Sequence, residues 1–564
     1  MKHQEKKSAN IFRRSPFART VLYVSILAVI FCLTVLIGKT TRHKPEIYSV
    51  TPQIASPGET IIIKGSNFGS SKGTSYVEIS GSKITGSFFK YWHNNEISLV
   101  IPDETKDGLL FVGTSAGKSQ PAFFANGKGI PVALRSDPLV TIPVINSITE
   151  SAAVGNEIII KGKNFGSTRG NSKVYFLANR DDVNPEQTNS SSIENFIAAN
   201  EDDFDYIFWS DDEIHVYVPD GAASGSVFVK TDKGTSGSRH ITIKTDTGKR
   251  VYSNKRTYVV QVTADISNTS ADQDSFITLY MPRPQTSSMQ PSATLNEYFP
   301  EPLIKNDSKN IIYQKSLNTI INNKQRFSQS YVVSVYSFKN NIVPKNIAPY
   351  KDKKRFLYTT YTNADSCVPS SNEAVTELAG EIIGKEKNPY NQAKLIYNYM
   401  IEHFQLEKRV RSGNISVLDL ITKKSGDAYD FTIVYAALCR ASGIPAVPMG
   451  GILVENNSTA VSHWWCEIYF ENYGWFPVDI ALGKGLSFNA FTPVENPKEY
   501  YFGNLDSQHI AFSRGWNQIK TSLLNTKTVY RPRTYALQSI WEESSNSTSS
   551  YSSLWNTPAI IGIY

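Results

Sequence analysis

Two segments of the sequence contain residues whose types and spacing suit acyl-transfer chemistry. The first, SGDAYDFTIVYAALCRASG, has Gly426 for a tight turn, Asp427 as a helix cap, and a helix of about fifteen residues that ends before Ile444. The residue at position 428 therefore lies at a helix N-terminus, where the helix dipole and the free N–H groups stabilise an anion. A cysteine there would have a lowered pKa and act as a good nucleophile, but the sequence has Ala428.

The second segment, HWWCEIYFENYGWFPVD, supplies alternating strand residues on both sides of a turn at residues 472–474. Sixteen residues separate His463 from Asp479, which is enough for a hairpin that sets the two side chains side by side. A carboxylate that orients an imidazole beside a helix N-terminus is the arrangement that supports a thiol nucleophile. His509, later in the chain, could approach the same cleft.

We expect no other residue to replace the missing thiol. Cys439 is eleven positions beyond Ala428 and therefore ~16 Å further along the helix axis. Cys466 is three residues from His463 on a strand, so it should face the opposite side of the sheet. Ser425 and Asp427, the polar residues just before position 428, do not project as residue 428 would.

These residues belong to a longer pattern. In chain order it comprises Gly426, Asp430, RASGIPA at 440–446, His463, Trp465, Glu467 and GWFPVD at 474–479. The pattern resembles the transglutaminase-like family, part of the papain-like cysteine enzymes. The resemblance implies an α+β domain in which His463 is the general base, Asp479 orients it, and Ala428 occupies the seat of the catalytic cysteine. Trp465 and Asp430 would support the site, Asp430 either as a surface residue or as a partner of a neighbouring turn. No cofactor and no metal ion is expected.

Several interpretations of the missing thiol stay open. The His463–Asp479 pair could serve structure alone, because a strand histidine bonded to a buried carboxylate satisfies both groups. The cleft could bind a peptide, a protein or an envelope polymer without cleaving it. The domain could also be an active amide hydrolase or acyl transferase that works without a thiol, or an engineered form in which alanine replaced cysteine. The sequence favours a catalytically inactive protein with a binding or scaffolding role at the cell envelope.

The first half of the chain contains a repeat. ETIIIKGSNFGSSKG at 59 and NEIIIKGKNFGSTRG at 156 share ten of fifteen residues, and WHNNEISLVIPD at 92 corresponds to WSDDEIHVYVPD at 209. The offsets are 97 and 117, so the second copy has a 20-residue insertion, which we place in the polar stretch 178–205. Short β-branched runs between Gly-rich turns indicate two small β-sandwiches. The motif IKGxNFG with a later IPD or VPD resembles the IPT/TIG family of immunoglobulin-like domains, which implies spacer or binding modules.

A basic N-terminus frames an apolar run of eighteen residues, Val21 to Gly38. As a helix this run is about 27 Å long and just spans a bilayer core. Six basic residues precede it and three follow it, so the positive-inside rule places the N-terminus in the cytoplasm and the bulk of the chain outside, in a bacterial periplasm or at a cell surface. A cleaved signal peptide is the alternative. Residues 1–44 hold nine Lys or Arg and one Glu, so the rest of the chain is close to neutral and gives no sign of a nucleic-acid partner.

The predicted fold is multidomain, with a single N-terminal transmembrane helix, tandem all-β sandwiches, a further β domain and a C-terminal α+β domain. Alternating apolar and polar residues between 254 and 360 indicate the further β domain. Cys367, Cys439 and Cys466 allow at most one disulfide. The predicted boundaries are a cytoplasmic tail at 1–20, the anchor at 21–38, sandwiches at 45–126 and 142–245, the further β domain at 254–362, the transglutaminase-like domain at 370–530 and a polar tail at 531–564.

Overall fold

The computed structural model describes most of the chain: residues 17, 20–21, 23–30, 43–84, 86–127, 142–184, 193–271, 275–320, 324–516, 526–531, 533–537 and 540–564. Of the predicted anchor, residues 21 and 23–30 are helical, whereas residues 22 and 31–38 lie outside the described residues. No helix within the described ranges has the length and apolar character that crossing a membrane requires. The chain divides into two compact units, one containing the first sandwich and one containing the domains that follow residue 141.

The first sandwich consists of two facing sheets. Their strands are β1 Glu46–Thr51, β2 Ile54–Ala55, β3 Thr60–Ser66, β4 Tyr76–Ile79, β5 Ser82–Ile84, β6 Phe89–Trp92, β7 Glu96–Val100, β8 Gly108–Thr114, β9 Gly117–Lys118 and β10 Ala122–Asn126. One sheet has the order β1-β3-β7-β6, and the other has the order β2-β10-β8-β4-β5 with β9 beside β8. Alternate residues of β3 point inward, so that Ile61 and Ile63 are buried with Phe68 of the following turn.

The second sandwich repeats this order strand for strand. Its strands are β11 Val144–Ile148, β12 Ser151–Ala153, β13 Glu157–Lys163, β14 Lys173–Ala178, β15 Phe196–Ala198, β16 Tyr206–Trp209, β17 Glu213–Tyr217, β18 Ala222–Thr231, β19 Gly234–Thr235 and β20 Arg239–Lys244. The sheets run β11-β13-β17-β16 and β12-β20-β18-β14-β15, with β19 beside β18. The predicted insertion lies mainly between β14 and β15 and extends into the loop before β16.

The third domain is a pair of sheets built on two long strands. Its strands are β21 Gly248–Ala271, β22 Phe276–Pro282, β23 Ser292–Phe299, β24 Asn310–Ser316 and β25 Lys324–Ile342, joined by β32 Thr526–Tyr530, β33 Trp541–Ser545, β34 Thr548–Trp555 and β35 Ala559–Ile563. One sheet has the order β23-β25-β21-β34 with β35 also on β21, and the other has the order β24-β22-β33-β32.

The C-terminal segment therefore differs from the predicted polar tail at 531–564. Residues of β33 pair with β22, and residues of β34 and β35 pair with β21, so the segment completes the domain that was predicted to end at 362. The serine content of this segment suggested a linker, but backbone pairing does not depend on side-chain polarity. Glu542, Glu543 and Ser544 are buried in β33, and the Trp541 ring stacks on Tyr280 at 3.7 Å.

The C-terminal α+β domain is built on a four-stranded sheet, and its longest buried helix packs against two strands of that sheet. Its helices are α1 Phe356–Thr362, α2 Glu373–Ile383, α3 Pro389–His403, α4 Val417–Lys423, α5 Ala428–Ala441, α6 Ile480–Gly483 and α7 Pro497–Tyr500. The sheet has the order β30-β29-β28-β31, from strands β28 Ala446–Val454, β29 Ala460–Phe470, β30 Gly474–Val478 and β31 His509–Arg514, and a two-residue pair joins β26 Gln405–Leu406 to β27 Ser425–Gly426. Short 3-10 turns lie at Gly86–Phe88, Ile193–Asn195, Leu317–Thr319 and Pro344–Asn346.

Local sequence explains where these helices begin. Asn388 accepts hydrogen bonds from the first backbone N–H groups of α3 and precedes a proline, and Ser416 caps α4. Helix α5 is buried along its whole length from Ala428 to Arg440, so it forms the centre of the domain.

We expect Trp541→Ala to lower the free energy of unfolding by about 3–5 kcal/mol, because it removes a buried aromatic ring from the pairing of the C-terminal segment with β22. Leu554→Ala in β34 is the matched control, since that side chain is 59% exposed, and it should change stability by less than about 0.5 kcal/mol. Urea denaturation followed by circular dichroism measures both. Equal, small effects would mean that the C-terminal strands are not part of the domain.

Candidate functional site

The N-terminus of α5 is fixed by a reciprocal pair of carboxylates. Asp427 Oδ1 accepts from the Asp430 N–H at 3.2 Å, and Asp430 Oδ2 accepts from the Asp427 N–H at 3.0 Å, which is a capping box. Gly426 is needed before the cap, because a Cβ there would lie 2.6 Å from Asp430 Cβ. Ala428 is the first residue of the helix and is buried.

Two arginines bind this carboxylate pair from segments distant in the sequence. Arg533 Nη1 donates to Asp430 Oδ1 at 2.9 Å, and its Nη2 contacts Asp427 Oδ2. The Arg411 N–H donates to Asp427 Oδ2 at 2.8 Å, and the Arg411 guanidinium pairs with Asp430. The Arg533 guanidinium also lies 4.3 Å from the centre of the Tyr429 ring. Asp430 is therefore buried and bonded to the start of the helix. Of the two alternatives that the sequence analysis gave, a surface residue or a partner of a neighbouring turn, this agrees with the second.

The structure brings His463 and Asp479 together. His463 Nε2 donates to Asp479 Oδ2 at 2.6 Å, and both side chains are almost completely buried. His463 lies on β29 opposite Gly451, and Asp479 follows β30 and caps α6, where its Oδ1 accepts from the Leu482 N–H at 2.9 Å. The hairpin predicted from the spacing is present, since Phe470 pairs with Gly474.

A second histidine shares the same carboxylate. His509, the first residue of β31, donates from Nε2 to Asp479 Oδ2 at 3.1 Å and from Nδ1 to Asp506 Oδ1 at 2.9 Å. Sequence reasoning gave His509 only an approach to the cleft and did not identify Asp506. The spacing DSQH, with an acid three residues before a histidine, is a local signal for this pair, but nothing in the sequence shows that Asp479 accepts from both histidines.

The buried charges in this network stabilise one another. Burial alone would lower the pKa of His509, but the carboxylates of Asp506 and Asp479 raise it to about 9. Burial would raise the pKa of Asp479, yet the charges and hydrogen bonds of His463 and His509 bring it below its ordinary value. The pKa of Asp506 is also lowered, against the effect of burial, mainly by the charge of His509. The network therefore holds a charged imidazolium at neutral pH.

Aromatic rings pack against both faces of β29. The Tyr429 ring, next to Ala428, packs edge-on against Trp464 at 5.6 Å, and Trp464 precedes Trp465 on β29. Trp465 faces the other side of the strand, where its ring is roughly parallel to His463 at 6.5 Å and edge-on to His509 at 5.2 Å. The contact of Tyr429 with Trp464 is therefore made on the face of β29 opposite to His463.

The geometry of the two histidines fits hydrogen bonding better than metal binding. The ligand atoms of His463, Asp479 and His509 lie within 4.8 Å of one another. A Zn²⁺ ion needs each ligand at about 2.0–2.2 Å, which separates neighbouring ligand atoms by more than 3 Å. Here the His463 and Asp479 atoms are only 2.6 Å apart, and both Nε2 atoms point at one oxygen. We assign the arrangement to a carboxylate that accepts two hydrogen bonds.

The three described cysteines have thiol pKa values above the ordinary value. All are free, and Cys439 and Cys466 are buried. Cys466 packs with the helices, on the side of β29 away from His463 and as the alternation predicted. Burial raises the pKa of Cys367 to about 12 and raises the pKa values of the other two thiols as well. Cys367 Sγ contacts the Tyr429 hydroxyl at 3.2 Å.

The site is closed to solvent. His463 is 1% exposed, His509 3% and Asp479 0%. Two cavities of about 470 and 170 Å³ are lined by other residues, the larger by residues 402–406, Lys408 and 484–486, and the smaller by residues of the second sandwich, the segment around α1, and the ends of β28 and β29.

We expect Arg533→Met to destabilise the transglutaminase-like domain by about 3–5 kcal/mol, because it leaves two buried carboxylates at the start of α5 without their main partner. Arg409→Met is the matched control, since Arg409 is exposed and only two positions from Arg411, and it should change the unfolding midpoint little. Chemical denaturation monitored by tryptophan fluorescence measures both. An Arg533→Met protein as stable as the control would contradict the role given to Arg533.

The raised pKa of His509 predicts a stability that falls in alkaline solution. A histidine with a pKa raised from about 6.5 to about 9 stabilises the fold fully below about pH 6.5 and loses this effect as the pH rises through 9. The wild type should lose on the order of 3 kcal/mol between pH 6.5 and 9.5 from this group, and His509→Gln should lose clearly less. His240→Gln, at an exposed histidine of the second sandwich, should keep the wild-type profile. Identical profiles for all three proteins would contradict a charged His509.

Two parts of the chain match models of known protein families. Residues 376–480 match the model of the Transglutaminase-like superfamily, and residues 45–124 match that of the IPT/TIG domain. An uncharacterized protein of Haemophilus influenzae is 27% identical over 207 residues, covering 31% of this chain and 54% of that protein. The chain therefore spans about half the length of that curated relative. A cyclomaltodextrin glucanotransferase of Paenibacillus macerans is 28% identical over 123 residues, covering 22% of this chain and 16% of that enzyme.

Solved structures show weaker likenesses. A proposed cysteine protease from Cytophaga hutchinsonii has 15% identity and a TM-score of 0.36, covering 56% of this chain and 93% of that chain. The periplasmic domain of TgpA from Pseudomonas aeruginosa has 14% identity and a TM-score of 0.23, covering 40% of this chain and 86% of that chain. These scores are too low to carry a conclusion about function. From the family matches, the chain contains a transglutaminase-like core at residues 376–480 and an IPT/TIG domain at residues 45–124.

Proposed function

We propose that this chain is a transglutaminase-like protein without thiol chemistry, which acts by binding or scaffolding. The observation that carries the proposal is Ala428 as the first residue of α5, in a chain that still pairs His463 with Asp479. A methyl group can neither lose a proton nor form an acyl intermediate, so the helix N-terminus has no covalent nucleophile to stabilise. The raised pKa values of the three described thiols support the same conclusion.

In this proposal, His463 and Asp479 keep the positions of a general base and its orienting acid, but their role is to stabilise the folded domain. Removing one partner of a buried hydrogen-bonded pair leaves the other partner unsatisfied, which is more costly than keeping the pair. Asp479 also caps α6 and accepts from His509. These structural roles explain why the His463–Asp479 pair is present in a chain that lacks the thiol.

The proposed partner is a peptide, a protein or an envelope polymer that docks over the start of α5 and β29. Because His463 is buried, such a partner would contact the rim of the site rather than the imidazole itself. The proposed location is extracytoplasmic, with the apolar run Val21 to Gly38 as a single-pass anchor. Its support is the excess of basic residues before that run.

Restoring the missing thiol tests the proposal. We expect Ala428→Cys to react with iodoacetamide at pH 6.5 at least ~10-fold faster than a cysteine in an unstructured peptide, because the helix N-terminus favours the thiolate. The second substitution His463→Ala should remove most of that gain. Intact-mass spectrometry of the full-length protein counts the added label, and the unmodified chain should label slowly at its three described thiols.

Ala428→Ser is the matched control, since it adds a side chain of similar size without the reactive sulfur. If Ala428→Cys labels no faster than the unmodified chain while remaining folded, the site is not an enzyme frame that lacks only its nucleophile.

A further inference from the structure

A buried, charged seam joins the second sandwich to the transglutaminase-like domain. The sandwich contributes the loop between β15 and β16, here called the seam loop (residues 199–205), and also Asp220. The core contributes Glu467 on β29 and Arg514 on β31, while Arg355 lies just before α1. Arg250, on the long strand β21, completes the seam. This interface was not expected from a domain predicted to act as a spacer.

One guanidinium at the centre of the seam lies between two carboxylates. Arg514 Nη1 is 2.8 Å from Asp203 Oδ1, and Arg514 Nε is 3.6 Å from Glu467 Oε2. Asp203 Oδ1 also accepts from Trp475 Nε1 at 2.9 Å. The contact between Arg514 and Asp203 is an ion pair rather than a well-aligned hydrogen bond, because Nη1 and Nη2 of Arg514 have no hydrogen-bond partner among the described residues.

Asp205 and Asp220, the other two carboxylates that the second sandwich contributes, interact with arginines other than Arg514. Asp205 is buried, accepts from the Asn200 N–H at 2.8 Å, and is 3.9 Å from Arg355 Nη2. Asp220 pairs with Arg250 and accepts from the Trp475 N–H at 3.0 Å. The tyrosine hydroxyls that adjoin the seam are neutral, because burial raises the pKa values of Tyr252, Tyr361 and Tyr469.

The charges in this seam do not balance. Four carboxylates, those of Asp203, Asp205, Asp220 and Glu467, face the three guanidinium groups of Arg250, Arg355 and Arg514. A buried surplus charge is unfavourable unless a proton neutralises it. We propose that the seam is a proton-dependent clamp: one carboxylate shared among Glu467, Asp203 and Asp205 is protonated when the second sandwich is closed on the core, and loss of that proton loosens the seam loop. This inference does not depend on the function proposed for residue 428.

The titration of the seam carboxylates agrees with this charge count. Burial raises the pKa of Glu467 to about 7, and burial also raises the pKa values of Asp203 and Asp205. A carboxyl group whose pKa is raised on folding stabilises the closed state below its unfolded pKa. This stabilisation is lost as the pH rises through the folded value. The clamp should therefore be tight near pH 5 and looser above about pH 7.

The backbone conformation of the seam loop favours its release from the core. Phe204 has a φ of 55°, which is strained for a residue with a side chain, and its ring packs near Phe356 at 5.9 Å and Tyr361 at 6.4 Å. The Tyr361 hydroxyl donates to the Asp202 carbonyl at 2.8 Å. The loop is therefore held against the core by a few contacts around the charged groups.

Hydrogen exchange of the full-length protein at pH 5.0 and 7.5 tests the clamp. After correction for the intrinsic pH dependence of exchange, the protection factors of peptides that cover the seam loop should fall at least 10-fold in the wild type between these pH values. Glu467→Gln, which imitates the protonated carboxyl, should reduce that change to less than 2-fold. Glu495→Gln, at an exposed carboxyl of the same domain, should keep the wild-type change.

Asp203→Asn provides a second variant on the opposite side of the seam. It removes the same surplus charge and should also reduce the pH response, which keeps the test decisive if Glu467→Gln does not fold. A wild-type seam loop whose protection does not change with pH would overturn the proposal. A full pH response retained in the folded seam variants would overturn it as well.

Discussion

The buried carboxylate of Asp479 is the constraint on which the site depends. It accepts hydrogen bonds from His463, His509 and the first turn of α6, and it is fully buried. An isolated carboxylate could not be buried in this way, because its desolvation would cost several kcal/mol. His463, Asp479 and His509 can meet only if β29, β30 and β31 are aligned with one another. The burial of the site follows from this alignment.

Other domains supply the charges that the core lacks. Arg533 reaches the start of α5 from a segment that leads into the β33–β35 strands of the third domain, and Asp203 and Asp220 reach the core from the second sandwich. The domains that follow the first sandwich are thus coupled by buried ion pairs as well as by apolar packing. This coupling explains why they form one compact unit rather than a string of independent modules.

The sequence was sufficient for features that depend on local chemistry. The cap Asp427 was predicted from the sequence, and so was the repeat of the sandwiches, because capping and strand alternation require particular residues at fixed spacings. The pairing of His463 with Asp479 followed from a hairpin of sixteen residues. Contacts between distant segments could not be predicted from the sequence. Arg533 lies 105 positions beyond Ala428, and no periodicity relates the two. Strands β33 and β34 were missed because serine-rich strands resemble linkers in composition.

The central claim is that the chain as it exists performs no thiol-type acyl transfer. The most direct measurement is intact-mass spectrometry and product analysis of the unmodified full-length protein after incubation with a panel of peptide amides and activated esters, beside a His463→Ala variant. The account predicts no covalent acyl adduct and no turnover above that of the variant. An adduct, or amide turnover that disappears with His463→Ala, would show that another group serves as the nucleophile and would contradict the account.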